Sequence, residues 1–191
     1  MTLAERKQIQ RQAGIAARRG LPDEVRTAAD AEICRSVQQL DSYRRARTLL
    51  VYAAWGGEVD LSALVRAALE QGRTVAWPVC GPEYSLAAVV PGPAGWQTGS
   101  YGIPAPALEG AQILSPDQLD LVLVPCTAFD PAGGRVGMGK GYYDRFLPRC
   151  TRAVRLGVAY EVQKTGRTAS EDRDQRLDAV VTEGRVYPCK I

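Results

Sequence analysis

DLVLVPCTAFDPAGGRVGMGKGYYDRFLPR, residues 120–149, joins an apolar strand, a glycine-rich cationic loop and the start of a helix. Leu121-Val122-Leu123-Val124 is a run of strand length that Pro125 ends. Gly137, Gly139 and Gly141 then alternate through a turn, after which Tyr142-Tyr143-Asp144-Arg145-Phe146-Leu147 takes up helical spacing. This succession is the plan of a phosphate-binding turn. Glycines lack the Cβ atoms that would keep backbone N–H groups away from an anion, and Arg135 and Lys140 bring charge to the same place. Gly134 to Gly141 fits the P-loop spacing G-x-x-x-x-G-K, but Gly141 stands where a P-loop carries the hydroxyl that helps hold Mg²⁺. A divalent ion would instead find Asp144, in the first turn of the next helix.

Outward from this segment, helices and strands alternate. Thr2-Leu3-Ala4-Glu5 is a capping box that opens a helix running to Arg19 and ending at Gly20, with a thin apolar face. A second helix starts at Pro22-Asp23-Glu24 and carries Val25, Ala29, Ile33, Val37 and Leu40 as its stripe. Residues 48–54 read as a buried strand, followed by the Gly56-Gly57 turn and a helix from Asp60 to Gln71 with Leu61, Leu64, Val65, Ala68 and Leu69 inward. Strands are expected at 75–77, 86–90, 154–159 and 179–182, the last two closing the sheet. Residues 91–119 hold five of the 12 prolines and read as a long surface excursion. The pattern predicts an α/β three-layer sandwich around a mainly parallel, Rossmann-like sheet, with residues 1–191 as a single domain. Ligands of such sheets bind at the carboxyl ends of the strands, where residues 55–58, 125–145 and 160 fall.

Composition narrows the function. At 191 residues, 46% hydrophobic and 24% charged, the chain is ordinary for one globular enzyme domain. No apolar run reaches membrane-spanning length and the first residues hold no signal core, so no membrane partner is expected and the cytoplasm is the expected location. The five cysteines are odd in number and widely spaced, and read as packing residues. Histidine is absent, which excludes Ser-His-Asp, Cys-His and His-metal chemistry. A net charge of +3 does not call for nucleic acid, but residues 1–50 hold ten Lys/Arg against six Asp/Glu. A helix facing a polyanionic small molecule and a plain solvated face both explain that excess.

Several side chains carry two readings each. Lys7 and Arg11 lie four apart on one helix face, reaching a single phosphate or simply solvent. Glu58 follows Trp55-Gly56-Gly57 as an acceptor for a paired N–H edge or as a first-turn carboxylate of the next helix. Tyr101 and Tyr142 can flank a flat ring, and Tyr143 reads as a residue of the nucleotide loop or of the packing. Glu171-Asp172-Arg173-Asp174 and Asp178 can serve a metal or a charged capping loop.

The run Phe129 to Arg145, FDPAGGRVGMGKGYYDR, resembles the signature of the 5-formyltetrahydrofolate cyclo-ligases, with weaker echoes from Lys7 to Thr182. The resemblance implies ATP- and Mg²⁺-dependent closure of 5-formyltetrahydrofolate to 5,10-methenyltetrahydrofolate, by a monomer acting on small molecules. It implies catalytic roles for Lys7, Arg135 and Lys140, and ATP contacts from Lys7, Arg11 and the stretch Arg135, Val136, Gly137, Met138, Gly139, Lys140, Gly141, Tyr142 and Tyr143. It further implies folate contacts from Arg11, Ala53, Glu58, Tyr101 and Tyr142, and metal contacts from Asp144 and Asp174. Two departures stand out: Arg173 where relatives often have histidine, and Met138 where they often have a larger polar residue. An ATP-dependent kinase or ligase acting on another small heteroaromatic or phosphorylated substrate, and a non-enzymatic module whose cationic helix binds RNA or protein, remain the alternatives.

Overall fold

A computed structural model describes residues 1–189. Helices α1 (Leu3–Arg19), α2 (Asp23–Gln39) and α3 (Asp41–Arg45) lead into β1 (Thr48–Leu50), α4 (Ser62–Glu70), β2 (Thr74–Cys80) and β3 (Leu86–Val90). Strands β4 (Trp96–Thr98), β5 (Pro104–Pro106), β6 (Gln112–Leu114), β7 (Leu121–Pro125), β8 (Ala128–Phe129) and β9 (Arg135–Val136) follow. After α5 (Tyr142–Phe146) come β10 (Val154–Val158), β11 (Ala179–Val181) and β12 (Val186–Pro188).

The main sheet has eight strands in the order β12-β11-β10-β7-β1-β2-β3-β6. Its centre, β11-β10-β7-β1-β2, is parallel, and the edge strands β12, β3 and β6 are antiparallel. Side chains alternate across it with the two-residue period of a strand. Leu49, Leu121, Leu123, Leu156 and Val158 pack with Ile33, Val37 and Leu64 of the helices. Their neighbours Leu50, Val122, Val124 and Val180 pack on the opposite face with Phe146, Leu147 and Cys150. The mainly parallel α/β sandwich is therefore as expected, with a thinner second layer because α5 spans only five residues.

The Thr2–Glu5 capping box forms as read, each partner taking the other's N–H. Several boundaries differ. Strand β1 stops at Leu50, since only Val51 N–H still bonds across, to Ala76 O, before the chain turns through Gly56 and Gly57 at positive φ. Val25 and Leu69 are exposed at the ends of their stripes, and buried Cys34 joins the α2 face instead. The excursion at 91–119 is not all loop: β4 and β5 pair, and β6 adds to the edge of the main sheet. The C-terminal edge strand β12 and the β8-β9 hairpin, both too short for periodicity to register, were not anticipated. Tyr160 belongs to the core, its hydroxyl donating to Asp30 at 2.6 Å, and not to the strand-end site. Among the cysteines, Cys80 is only half-buried while the other four are buried.

Candidate active site

The glycine loop is aimed by the hairpin before it. The Asp130 carboxylate accepts N–H groups from Ala132 at 2.9 Å, Gly134 at 3.1 Å and Thr168 at 2.8 Å, and the Thr168 hydroxyl at 2.7 Å. Burial opposes its charge, but these bonds outweigh burial and hold its pKa below the usual carboxylate value. So fixed, the hairpin turns Arg135 inward, where it is 7% exposed and donates Nη2 to Asp144 Oδ1 at 2.7 Å. Two buried polar atoms beside it have no hydrogen-bond partner among the described residues: Arg135 Nε and the Tyr143 hydroxyl. The guanidinium carbon lies 5.7 Å from the Tyr143 ring centre. Farther along, Gly139 (φ 90°) and Gly141 (φ 71°) take left-handed conformations. A Cβ on Gly139 would sit 3.0 Å from the Arg11 guanidinium, whose Nε donates to Gly137 O at 2.7 Å.

Helix α1 closes the other side. Lys7 Nζ lies 2.6 Å from Asp174 and 3.0 Å from Glu171. Burial disfavours its charge, but hydrogen bonds and attraction to those carboxylates more than offset this, so its pKa is raised. Gln10 ties the same helix to residues 167–169 through Arg167 O and Ala169 N, each at 2.8 Å. Gln175 N–H donates to Asp144 Oδ1 at 3.2 Å, one residue beyond Asp174. Lys7 pairs with Asp174 and Arg135 with Asp144, the two pairs joined through Gln175; of these Arg135, Asp174 and Gln175, with Thr168, line a cleft of about 810 Å³.

A second group surrounds the end of β1. The Glu58 carboxylate accepts Trp55 N–H at 3.2 Å and lies 3.7 Å from Arg18 Nη1. Burial pushes its pKa up, against the pull of Arg18. Helix α4 begins only at Ser62, so Glu58 lies outside its first turn. Tyr142 stands edge-on to Tyr84, ring centres 5.8 Å apart, and the neighbouring Tyr101 hydroxyl, with burial, pushes the Tyr142 phenol up to about 12. Lys140 Nζ is 5.9 Å from the Tyr101 ring centre. Glu83, Tyr84 and Tyr101 are non-glycine residues at positive φ, local strain of the kind that concentrates at functional sites.

The geometry combines a cationic glycine loop, carboxylates on either side of it and an aromatic rim. The profile of the 5-formyltetrahydrofolate cyclo-ligase family matches residues 3–183. The chain belongs to that family. A 5-formyltetrahydrofolate cyclo-ligase of Escherichia coli K12 is 30% identical over 148 residues, covering 74% of this chain and 81% of that protein. One from Haemophilus influenzae is 29% identical over 154 residues, covering 78% and 82%. The NMR structure of Aquifex aeolicus 5,10-methenyltetrahydrofolate synthetase superposes with a TM-score of 0.84 at 30% identity, covering 97% of this chain and 93% of that one.

Within this cyclo-ligase fold, the positions singled out in the sequence fall into two neighbouring groups. Lys7, Arg11, Arg135, Gly137, Gly139, Asp144 and Asp174 gather around the glycine loop. Glu58 sits at the end of the β1 segment with Ala53 nearby in the chain, and Tyr101 and Tyr142 meet beside Lys140. Val136 is buried, its carbonyl accepting Thr127 N–H and hydroxyl, each at 2.8 Å. Met138 is 46% exposed. Asp178 is structural: its carboxylate accepts Arg155 N–H at 2.8 Å.

Sequence reasoning missed Arg18, Gln10, Tyr84 and the Asp130–Thr168 brace. Arg18 shares the helix face of Lys7 and Arg11, and Asp130 stands in the motif, but neither position by itself shows what the side chain meets. Among the described residues no three His, Cys, Asp or Glu side chains gather as a metal site. Asp144 Oδ2 and Asp174 Oδ1 nonetheless carry no hydrogen bond among those residues. Each is a carboxylate oxygen of the kind Mg²⁺ takes alongside phosphates and water.

Proposed function

We propose that the chain closes 5-formyltetrahydrofolate to 5,10-methenyltetrahydrofolate, converting ATP to ADP and phosphate. The observation that carries this reading is Arg135: a buried guanidinium with an unpartnered Nε in a glycine loop, facing an unpartnered buried phenol. Buried donors of that kind are left for a ligand. Lys7 and Arg135 now neutralise Asp174 and Asp144. Asp144 and Asp174 would hold Mg²⁺, which would supply charge neutralisation at the phosphates, and Lys7 and Arg135 would then be free to face phosphate oxygens.

In this reading the N5-formyl oxygen attacks the γ-phosphorus of ATP, its bond to the β–γ bridging oxygen breaks, and ADP leaves. N10 then adds to the activated formyl carbon and gives up its proton to solvent, and the C–O bond breaks to release phosphate with the formyl oxygen. Lys7, Arg11, Arg135 and Lys140 spread the charge that develops on the transferring group, while backbone N–H groups of Gly137 to Gly141 orient it. Phosphoryl transfer of this kind asks little acid–base help, in keeping with a chain that has no histidine. Glu58 accepts the aminopyrimidine edge of the pterin as it would a guanidinium, and Tyr101 and Tyr142 flank the flat ring, with Ala53 as a neighbouring wall.

The enzyme is proposed to act as a cytoplasmic monomer without nucleic-acid or membrane partners. Supporting a small-molecule role over an RNA-binding one, Lys7, Arg11 and Arg18 all point into the protein and engage its groups. Mixing the protein with 5-formyltetrahydrofolate, ATP and Mg²⁺ should generate the methenyl chromophore with one ADP per product. ADP without the chromophore would redirect the assignment to another acceptor.

A further inference from the structure

We infer that Arg18 is a positioning residue for the folate subsite, holding the Glu58 carboxylate in place and charged beneath the Trp55-Gly56-Gly57 turn. The inference rests on the folate role proposed for Glu58. Arg18 is 1% exposed, near the end of α1. A buried guanidinium is costly unless its donors and charge are met. Its Nε donates to Gly56 O at 3.1 Å, Nη2 to Trp55 O at 3.4 Å and Nη1 to Cys126 O at 3.5 Å. The Nη1 atom is also 3.7 Å from Glu58 Oε1. One side chain therefore ties three pieces together: the helix that carries Lys7 and Arg11, the turn that carries Glu58, and the root of the glycine loop at Cys126.

The charge on Arg18 has a second effect. Glu58 is partly buried, and burial favours its protonated form, in which one oxygen would donate instead of accept. The other titratable groups facing Glu58 are Tyr52 beneath it, Tyr143 of α5 and Cys126 after β7. Burial drives all three upward, so they are neutral near pH 7 and offer no counter-charge. Facing Arg18 itself are Arg19, Tyr52 and Tyr160, none of them an anion at that pH. Arg18 is the cation that keeps Glu58 an acceptor for a pterin N–H edge.

The test compares Arg18→Gln, Arg18→Lys and wild type across about pH 6 to about pH 9, reading KM for each substrate. For Arg18→Gln at pH 7 the KM for 5-formyltetrahydrofolate should rise about tenfold, with that for ATP changed less than about twofold. The ratio of variant to wild-type folate KM should fall toward one as pH rises and Glu58 ionises again. Arg18→Lys, which keeps a charge, should show a smaller rise, about threefold at the acid end, that disappears at the alkaline end. If Arg18→Gln does not fold, Arg18→Lys carries the test alone. A ratio that is flat with pH, or an equal rise in the KM for ATP, would overturn the inference. Wild-type protein that forms no methenyl product would instead sink the folate reading on which it rests, so the two failures are distinct.

Discussion

Lys140 projects from a loop whose backbone Gly139 and Gly141 shape, beside the Tyr101 ring, while Arg135 is buried against Asp144. If Lys140 serves the transferring phosphate and not the ground-state complex, Lys140→Ala should lower kcat by about 10²-fold or more and leave folate KM within about threefold. Unchanged turnover with intact ATP affinity would defeat that role. Arg135 was legible from its place in the motif, but its burial was not, because nothing in a sequence announces a two-residue hairpin strand. Asp130 illustrates the same limit. It stood in the motif without an assigned role, yet it accepts four hydrogen bonds that brace the hairpin to Thr168. Asp130→Asn places an amide donor among N–H groups and should cost about 2–3 kcal/mol at neutral pH. A lowered pKa means this contribution is fully present above the unfolded value of about 3.9 and is lost as pH falls through the folded value. Thermal unfolding of variant and wild type should therefore converge in strong acid, and a gap independent of pH would contradict the charge-based brace.

At the scale of elements, α1 is the piece that joins the two groups. Its docking depends on Gly14, where an added Cβ would lie 1.8 Å from Thr127 O. Alanine would gain up to about 1 kcal/mol in helix propensity. Overpacking against a backbone oxygen costs about 1–3 kcal/mol, so the packing loss should win. Gly14→Ala is expected to lower the melting temperature and to raise the KM for ATP, because Lys7 and Arg11 ride on the displaced helix. A more stable variant with unchanged ATP kinetics would refute that linkage. The helix itself was readable from its capping box and from Gly20, but its partner was not: a face of Lys7, Arg11 and Arg18 looks like a solvated one until the loops it meets are seen. Tyr84 was missed for a related reason, since its ring reaches Tyr142 through a strained turn that no periodicity encodes.

Across the whole molecule, the sheet was the most legible feature. The apolar runs of β7 and β1 are buried on both faces along almost their whole length, and those of β10 and β11 at Leu156–Val158 and Val180–Val181, as central parallel strands require, so the runs themselves mark the strands in the sequence. The edges were less legible. Strands β6 and β12 are three residues each and pair antiparallel, so their place depends on neighbours far away in sequence. The site inherits its location from this topology: β1 and β7 are adjacent, which brings the Glu58 turn and the glycine loop together at their carboxyl ends. The central claim is that this junction passes the γ-phosphoryl group of ATP to the formyl oxygen of the folate. It is tested most directly by following the isotope in a single turnover of 5-formyltetrahydrofolate labelled with ¹⁸O in the formyl group. The label should appear in the released inorganic phosphate; recovery of the label in water, with unlabelled phosphate, would contradict the claim.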